Sequence, residues 1–128
     1  MRLEPDYHII ADFLNSSIKE RMMYELSSPK KRIKAFERLS HNIESAIKLD
    51  HIYYRGNVNN EAVKAEIQKN IQECIVLSLE YQQGISMSID EALDYLNDSF
   101  FAVIVNENWM IIKPEYEGGK ESVYILRK

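Results

Sequence analysis

The chain has 128 residues, an apolar fraction of 45% and a net charge of −4 at pH 7, values typical of one globular domain. Its 4 Gly and 3 Pro exclude long flexible linkers, and no apolar run is long enough to span a bilayer or to form the core of a signal peptide. The single cysteine, Cys74, excludes an intramolecular disulfide and is typical of a reducing compartment. We therefore predict one cytoplasmic domain over residues 1–128, without membrane association.

Two helices are predicted at the N-terminus, where apolar residues recur every three or four positions. The first is expected from about Asp6 to Leu26, and the second from Pro29 to about Leu49. Ser28 is expected to cap the second helix, because Pro29 suits the first helical position and misses no amide hydrogen there. The break between the helices is short, so residues 1–50 are predicted to form an antiparallel helical hairpin.

Residues 51–128 change to a pattern of short strands and two shorter helices. Strands are predicted at 52–54, 73–79, 100–105, 109–113 and 122–126, and a continuing helix is the open alternative for 73–79. One helix follows a cap at Asn59 or Asn60, and the other starts at Ser88, where Glu91 completes a capping box. The order ααβαβαβββ predicts an α+β fold, with a mostly antiparallel sheet of four to five strands covered on one face by helices.

Charge is distributed unevenly along the chain. Residues 19–48 hold eight Lys or Arg and four Glu, whereas the remainder is acidic, so the molecule is expected to be bipolar. Four side chains of the second helix fall within one arc opposite its apolar stripe: Lys31, Lys34, Arg38 and His41. This basic arc is either a solvated face or a docking surface for an acidic protein or nucleic acid. The acidic balance of the whole chain disfavours nucleic acid.

Three further charged residues are predicted to point inward near the corner of the hairpin: Arg21, Glu25 and Arg32. A buried charge is costly unless it is paired, so we predict that these residues form a partly buried ion network. The alternative is a site for an anionic ligand, because Arg presents a fork of donors that suits carboxylate or phosphate.

The first predicted strand carries two aromatic residues beside a cation, in the run Tyr53-Tyr54-Arg55. Aromatic and cationic side chains together can stack on bases, and Tyr is also favoured in protein interfaces. Adjacent residues of a strand point to opposite faces, so only one of the two tyrosines is expected to join such a surface. Tyr53 and Tyr54 are therefore candidate partner contacts, with packing at the edge of the sheet as the structural alternative.

Pairs of residues with helical metal-ligand spacing occur twice, at His8 with Asp12 and at Glu37 with His41. A metal site needs three or four ligands in a defined geometry, and neither pair has a second pair nearby in the sequence. We therefore predict no metal site and no cofactor.

Cys74 lies in an apolar run and is predicted to be a small core residue, with a catalytic dyad to His41 or His51 as the alternative. The chain contains no phosphate-binding glycine loop and no nucleophile elbow. The pattern favours a protein-binding module of the inhibitor, immunity or adaptor type, without catalytic activity. The alternatives are an RNA-contacting accessory protein that uses the basic arc, and an enzyme whose site is assembled from distant residues. The expected partner is another protein, and self-association into a homo-oligomer is the alternative assembly.

Overall fold

A computed structural model of the chain describes residues 7–115 and 122–128. It begins with a 3₁₀ helix at Tyr7–Phe13, and a second, short 3₁₀ helix lies at Leu49–His51. The α-helices are α1 (Lys19–Ser27), α2 (Arg32–His41), α3 (Ile43–Ala46), α4 (Glu61–Asn70) and α5 (Ile89–Asp98). The strands are β1 (Ile52–Gly56), β2 (Glu73–Ser78), β3 (Ile85–Ser88), β4 (Ala102–Val105), β5 (Trp109–Lys113) and β6 (Val123–Arg127).

The strands form one antiparallel sheet in the order β1-β6-β5-β4-β2-β3. This confirms the predicted α+β class, and the helical alternative for 73–79 is wrong because β2 occupies that segment. The sheet has six strands rather than four to five. The additional strand is β3, which has only four residues and therefore offers little periodicity to detect.

Helices cover both faces of the sheet, so the expectation of a single covered face is wrong. The first face packs against the N-terminal 3₁₀ helix, α1, α2 and α3, and includes Val103, Val105, Met110, Ile112, Tyr124 and Leu126. The second face packs against α4 and α5, and includes Ala102, Ile104, Trp109, Ile111, Val123 and Ile125. A strand buried on both faces has a continuous apolar run instead of an alternating one, as Ala102–Val105 does.

The two predicted N-terminal helices are both interrupted. The backbone at Leu14 forms a β-bridge with Ile47, and the amide of Asn15 donates to the carbonyl oxygen of Ala46 at 2.8 Å. Backbone groups paired across the hairpin in this way cannot also form helical hydrogen bonds. The first segment is therefore a 3₁₀ helix followed by α1, and α3 ends at Ala46. The second segment is also divided at Asn42, into α2 and α3; Asp6 lies outside the described residues.

Ser28 does not cap α2, contrary to the prediction. It is the C-terminal cap of α1, and its amide donates to the carbonyl oxygen of Glu25 at 3.3 Å. The carbonyl oxygen of Ser28 accepts from the amides of Lys31 and Arg32, at 3.0 and 2.9 Å. These bonds form a turn over residues 29–31, so α2 starts at Arg32 rather than at Pro29.

The caps of the later helices are confirmed. The side-chain oxygen of Asn60 accepts from the amides of Ala62 and Val63, at 3.1 and 3.2 Å, at the start of α4. Ser88 accepts from the amide of Glu91 at 3.3 Å and donates to its carboxylate at 3.0 Å. Within the described parts of the chain, no helix is long and apolar enough to cross a membrane.

Candidate functional site

The basic arc is less positively charged at the surface than its sequence suggests. Lys31, Lys34 and His41 are exposed, but Arg38 is partly buried and turned toward the carboxylate of Glu25. His41 Nε2 lies 3.8 Å from Glu115 Oε2. Binding of a partner by this arc stays a prediction. Arg38 already forms an ion pair with Glu25 inside the protein.

Lys31 is also held against its own domain. Its Nζ donates to the hydroxyl of Tyr24 at 3.3 Å and lies 4.8 Å from the centroid of that ring. A cation over an aromatic face is attracted to the ring electrons, although such a contact contributes little where both groups face water. The pair therefore forms a small aromatic and basic surface at the start of α2.

The predicted network of inward charges is only partly present. Glu25 and Arg32 are buried, whereas Arg21 is exposed, so its inclusion in a buried cluster is wrong. Arg32 Nε donates to the carbonyl oxygen of Leu26 at 2.9 Å, at the C-terminal end of α1. A cation at the C-terminal end of a helix satisfies an unpaired carbonyl oxygen and interacts favourably with the helix dipole.

Glu25 pairs with Arg38, a partner that the sequence pattern did not suggest. Arg38 Nε lies 2.9 Å from Glu25 Oε1, and Nη2 lies 3.3 Å from Oε2. This hydrogen bond to the carboxylate holds the pKa of Arg38 above its ordinary value. The two residues are 13 positions apart on neighbouring helices, beyond the range at which helical spacing indicates a contact.

A β-bulge determines where the two tyrosines of β1 lie. Ile52 pairs with Leu126 and Tyr54 with the preceding residue of β6, so Tyr53 is the extra residue. The Tyr53 ring lies 5.3 Å from that of Trp109 on the second face, and Tyr54 packs against the same face. The expectation that only one tyrosine joins a given surface is therefore wrong.

The tyrosines and the basic arc do not form one surface. α2 packs against the first face of the sheet, whereas Tyr53 and Tyr54 contact the second. Arg127 lies over the rings of Tyr53 and Trp109, at 4.8 and 5.6 Å from their centroids. Tyr53, one of the two tyrosines predicted to stack on bases, is thus covered by a cation of its own sheet.

An open cleft of about 490 Å³ lies where the end of β2, the end of α5 and the segment before β4 meet. We call it the Phe100 cleft; its lining residues are Ser78, Leu79, Glu80, Asp94, Tyr95, Asp98, Ser99, Phe100 and Phe101. Two large apolar side chains there are exposed to water, Phe100 by 84% and Leu79 by 56%. Phe100 is the most exposed aromatic residue in the described part of the chain.

Hydrogen bonds hold the floor of the Phe100 cleft in place. The buried Ser78 hydroxyl lies 2.7 Å from the hydroxyl of Tyr95 and accepts from the amide of Tyr81 at 3.0 Å. Ser99 Oγ donates to the carbonyl oxygen of Tyr95 at 2.6 Å. The rings of Tyr81 and Tyr95 pack with centroids 5.3 Å apart. The cleft is therefore a formed surface before any partner arrives.

The rim of the Phe100 cleft is acidic. Glu80, Asp94 and Asp98 are exposed there, and none of the residues that line it is basic. Across residues 7–115 and 122–128, no ion pair joins any of these three carboxylates to a cation. The neighbouring carboxylate of Glu80 raises the pKa of Tyr81.

A smaller cleft of about 160 Å³ continues this surface toward α2. It shares Leu79 and Phe101 with the Phe100 cleft, and Ile33 and Glu37 line its other side. The apolar surface therefore extends from the end of β2 to the exposed face of α2.

The sequence pattern did not indicate this site, because it predicts that Phe100 and Leu79 lie inside strands. The structure ends β2 at Ser78 and begins β4 at Ala102, which leaves both apolar residues in connecting segments. The sequence feature that marks the site is the pair Phe100-Phe101 at the start of an apolar run. In the structure only Phe101 of this pair is buried.

Cys74 lies in the core, as expected. It is buried in the second face, and its thiol donates to the carbonyl oxygen of Met87 with a separation of 3.6 Å. Burial raises the pKa of the thiol to about 12. His41 lies on α2, which packs against the opposite face of the sheet, so the proposed dyad with it is not formed.

Cys74 is expected to resist labelling by thiol reagents in the native protein. With a pKa of about 12, fewer than about one thiol in a thousand is ionised near pH 8, and the thiolate is the reactive form. Labelling by an aromatic disulfide reagent should therefore be slow in buffer and become rapid in denaturing urea. Rapid stoichiometric labelling without urea would contradict this expectation.

Neither of the two residue pairs with metal-ligand spacing belongs to a larger group of candidate ligands among the described residues. In the described part of the chain, no group of three or more His, Cys, Asp or Glu is arranged to hold a metal ion. The side chain of His8 lies outside the described residues, and its intended partner Asp12 accepts from Lys128 Nζ at 2.6 Å.

Comparison with known proteins finds no match among protein-family models, curated proteins or solved structures. Function is therefore inferred from the residues and geometry of this chain, of which the Phe100 cleft is the most distinctive surface.

Proposed function

We propose that this chain is a small cytosolic domain that binds another protein through the Phe100 cleft, without catalysis of its own. The observation that carries this proposal is the exposure of Phe100, which is 84% accessible to water and lines the same cleft as Leu79, which is 56% accessible. Adjacent exposed apolar residues with a polar rim are typical of a site where another protein binds.

The energetics favour a partner at this position. Burying a Phe or Leu side chain is worth roughly 1.5–3 kcal/mol, and the folded chain leaves this gain unused at both residues. Aromatic anchors near the centre of an interface commonly carry much of the binding energy. Because the floor of the cleft is held by the Ser78–Tyr95 hydrogen bond, little of this energy is spent on ordering the surface.

The alternative as an RNA-contacting protein has less support. It needed the basic arc and the tyrosines of β1 to act together, and these lie on opposite sides of the sheet. Arg38, one of the four members of the arc, is paired with Glu25.

Replacing Phe100 or Leu79 by Ser is expected to reduce capture of the partner by at least about tenfold, since each change removes an apolar contact. The measurement is affinity capture of the tagged chain from its native host after nuclease treatment, quantified by mass spectrometry. Both changes are at exposed positions, so the melting temperature should stay nearly unchanged.

Leu49→Ser is the matched control, because Leu49 is 53% exposed and does not line the Phe100 cleft. A protein that is retained by this control and lost with both cleft variants supports the proposal. Equal capture by all three variants, or capture of nothing above background, overturns it.

A further inference from the structure

We infer that the partner segment bound at the Phe100 cleft is basic, with one apolar side chain flanked by Lys or Arg. This inference rests on the function proposed above and adds the chemistry of the partner. Three observations support it: the unpaired carboxylates of the rim, the shape of the apolar surface, and the hydrogen-bonded floor.

Among the described residues, three carboxylates form ion pairs with Arg or Lys inside the protein, and the rim carboxylates are not among them. Glu25, Glu44 and Asp12 each lie within 4 Å of an Arg or Lys nitrogen. Glu80, Asp94 and Asp98 have no such partner in the described ranges, although all three surround one cleft.

Their spacing increases the benefit of a positively charged ligand. Asp94 and Asp98 are one helical turn apart on α5, where like charges at positions i and i+4 repel. Asp98 is also the last residue of that helix, whose dipole already disfavours negative charge there. A cation bound at the rim relieves both interactions, whereas an acidic partner would be repelled.

The apolar part of the cleft determines the form of the ligand. The lining combines the exposed side chains of Phe100 and Leu79 with the half-buried Tyr95 and the buried Phe101. At about 490 Å³ the cleft admits one or two side chains rather than an entire element of structure. One apolar anchor can therefore enter, while its neighbours along the chain reach the rim carboxylates.

The probe for this inference is a displayed library of random peptides of about 12 residues, a length typical of peptide-recognition sites. The tagged chain is used as bait, and the enriched peptides are sequenced. We expect enrichment of an apolar residue between Lys or Arg, and we expect binding to weaken at least about threefold between about 50 and 300 mM NaCl, because salt screens exposed charges.

The matched variants are Asp94→Asn with Asp98→Asn, compared with Asp90→Asn. Asp90 lies on the same helix but outside the cleft, where it accepts from Gln68 Nε2 at 2.9 Å. The double variant should weaken an enriched basic peptide by about threefold to tenfold, and the control should bind as the parent chain does.

The outcomes separate this inference from the proposed function. Neutral or acidic peptides whose binding is abolished by Phe100→Ser overturn the basic partner but retain the protein-binding cleft. Peptides that bind Phe100→Ser unchanged contradict both. Concentration-dependent dimers in sedimentation that the double variant dissociates would make the occupant a second copy, supplied by the aromatic and basic surface at Tyr24 and Lys31, and would overturn the peptide partner.

Discussion

Arg38→Met is expected to lower the free energy of unfolding by about 3 kcal/mol, because it leaves the buried carboxylate of Glu25 without its cation. Glu25 has only 5% of its side chain exposed and receives two hydrogen bonds from Arg38, so water cannot replace the lost donors. Methionine retains most of the length and apolar stem of arginine, which confines the change to the charged group.

Replacing the other member of the pair is expected to lower the free energy of unfolding by a smaller amount. Glu25→Gln should lower stability by about 1–2 kcal/mol, because Arg38 keeps 25% of its side chain exposed and can be hydrated there. The double variant should be less destabilised than the sum of the two single changes, since neither residue then leaves a charge unpaired.

Urea unfolding followed by circular dichroism measures these differences. Lys34→Met is the matched control, because Lys34 is exposed on the same helix, and it should change stability by less than about 0.5 kcal/mol. If Arg38→Met unfolds with the same free energy as this control, the pair does not contribute to stability in the way described.

Lys113→Met is expected to lower the free energy of unfolding by about 2 kcal/mol, because it removes a buried charged donor from two carbonyl oxygens. Lys113 lies on β5, and its Nζ donates to the carbonyl oxygens of Leu96 and Asn97, at 3.0 and 3.2 Å. These are carbonyls of the last turn of α5, where a cation is also favoured by the helix dipole.

The effect of Lys113 should reach the Phe100 cleft. Leu96 and Asn97 directly precede the rim residue Asp98, so loosening the end of α5 should accelerate hydrogen exchange over residues 96–101. Lys69→Met on the exposed surface of α4 is the control and should leave both exchange and stability unchanged. Unaltered exchange at the end of α5 in Lys113→Met would show that this contact does not hold the helix.

Elements with strong local signals were predicted from the sequence. The cap at Asn60 and the capping box at Ser88 place the starts of α4 and α5 correctly, since each depends on side chains within three residues of the helix start. The strand at 109–113 is also confirmed, because its apolar and aromatic residues are bounded by a turn. Segments whose ends depend on distant partners, such as the interrupted N-terminal helices, were placed less accurately.

By itself, the sequence determined the α+β class, the start of each later helix and the position of Cys74 in the core, because these depend on local hydrogen bonds and on apolar content. Only the tertiary structure decided the pairing of Glu25 with Arg38, the covering of both sheet faces and the exposure of Phe100. Each of these depends on which distant segments meet, and an apolar residue has the same local pattern whether its neighbour in space is another helix or water.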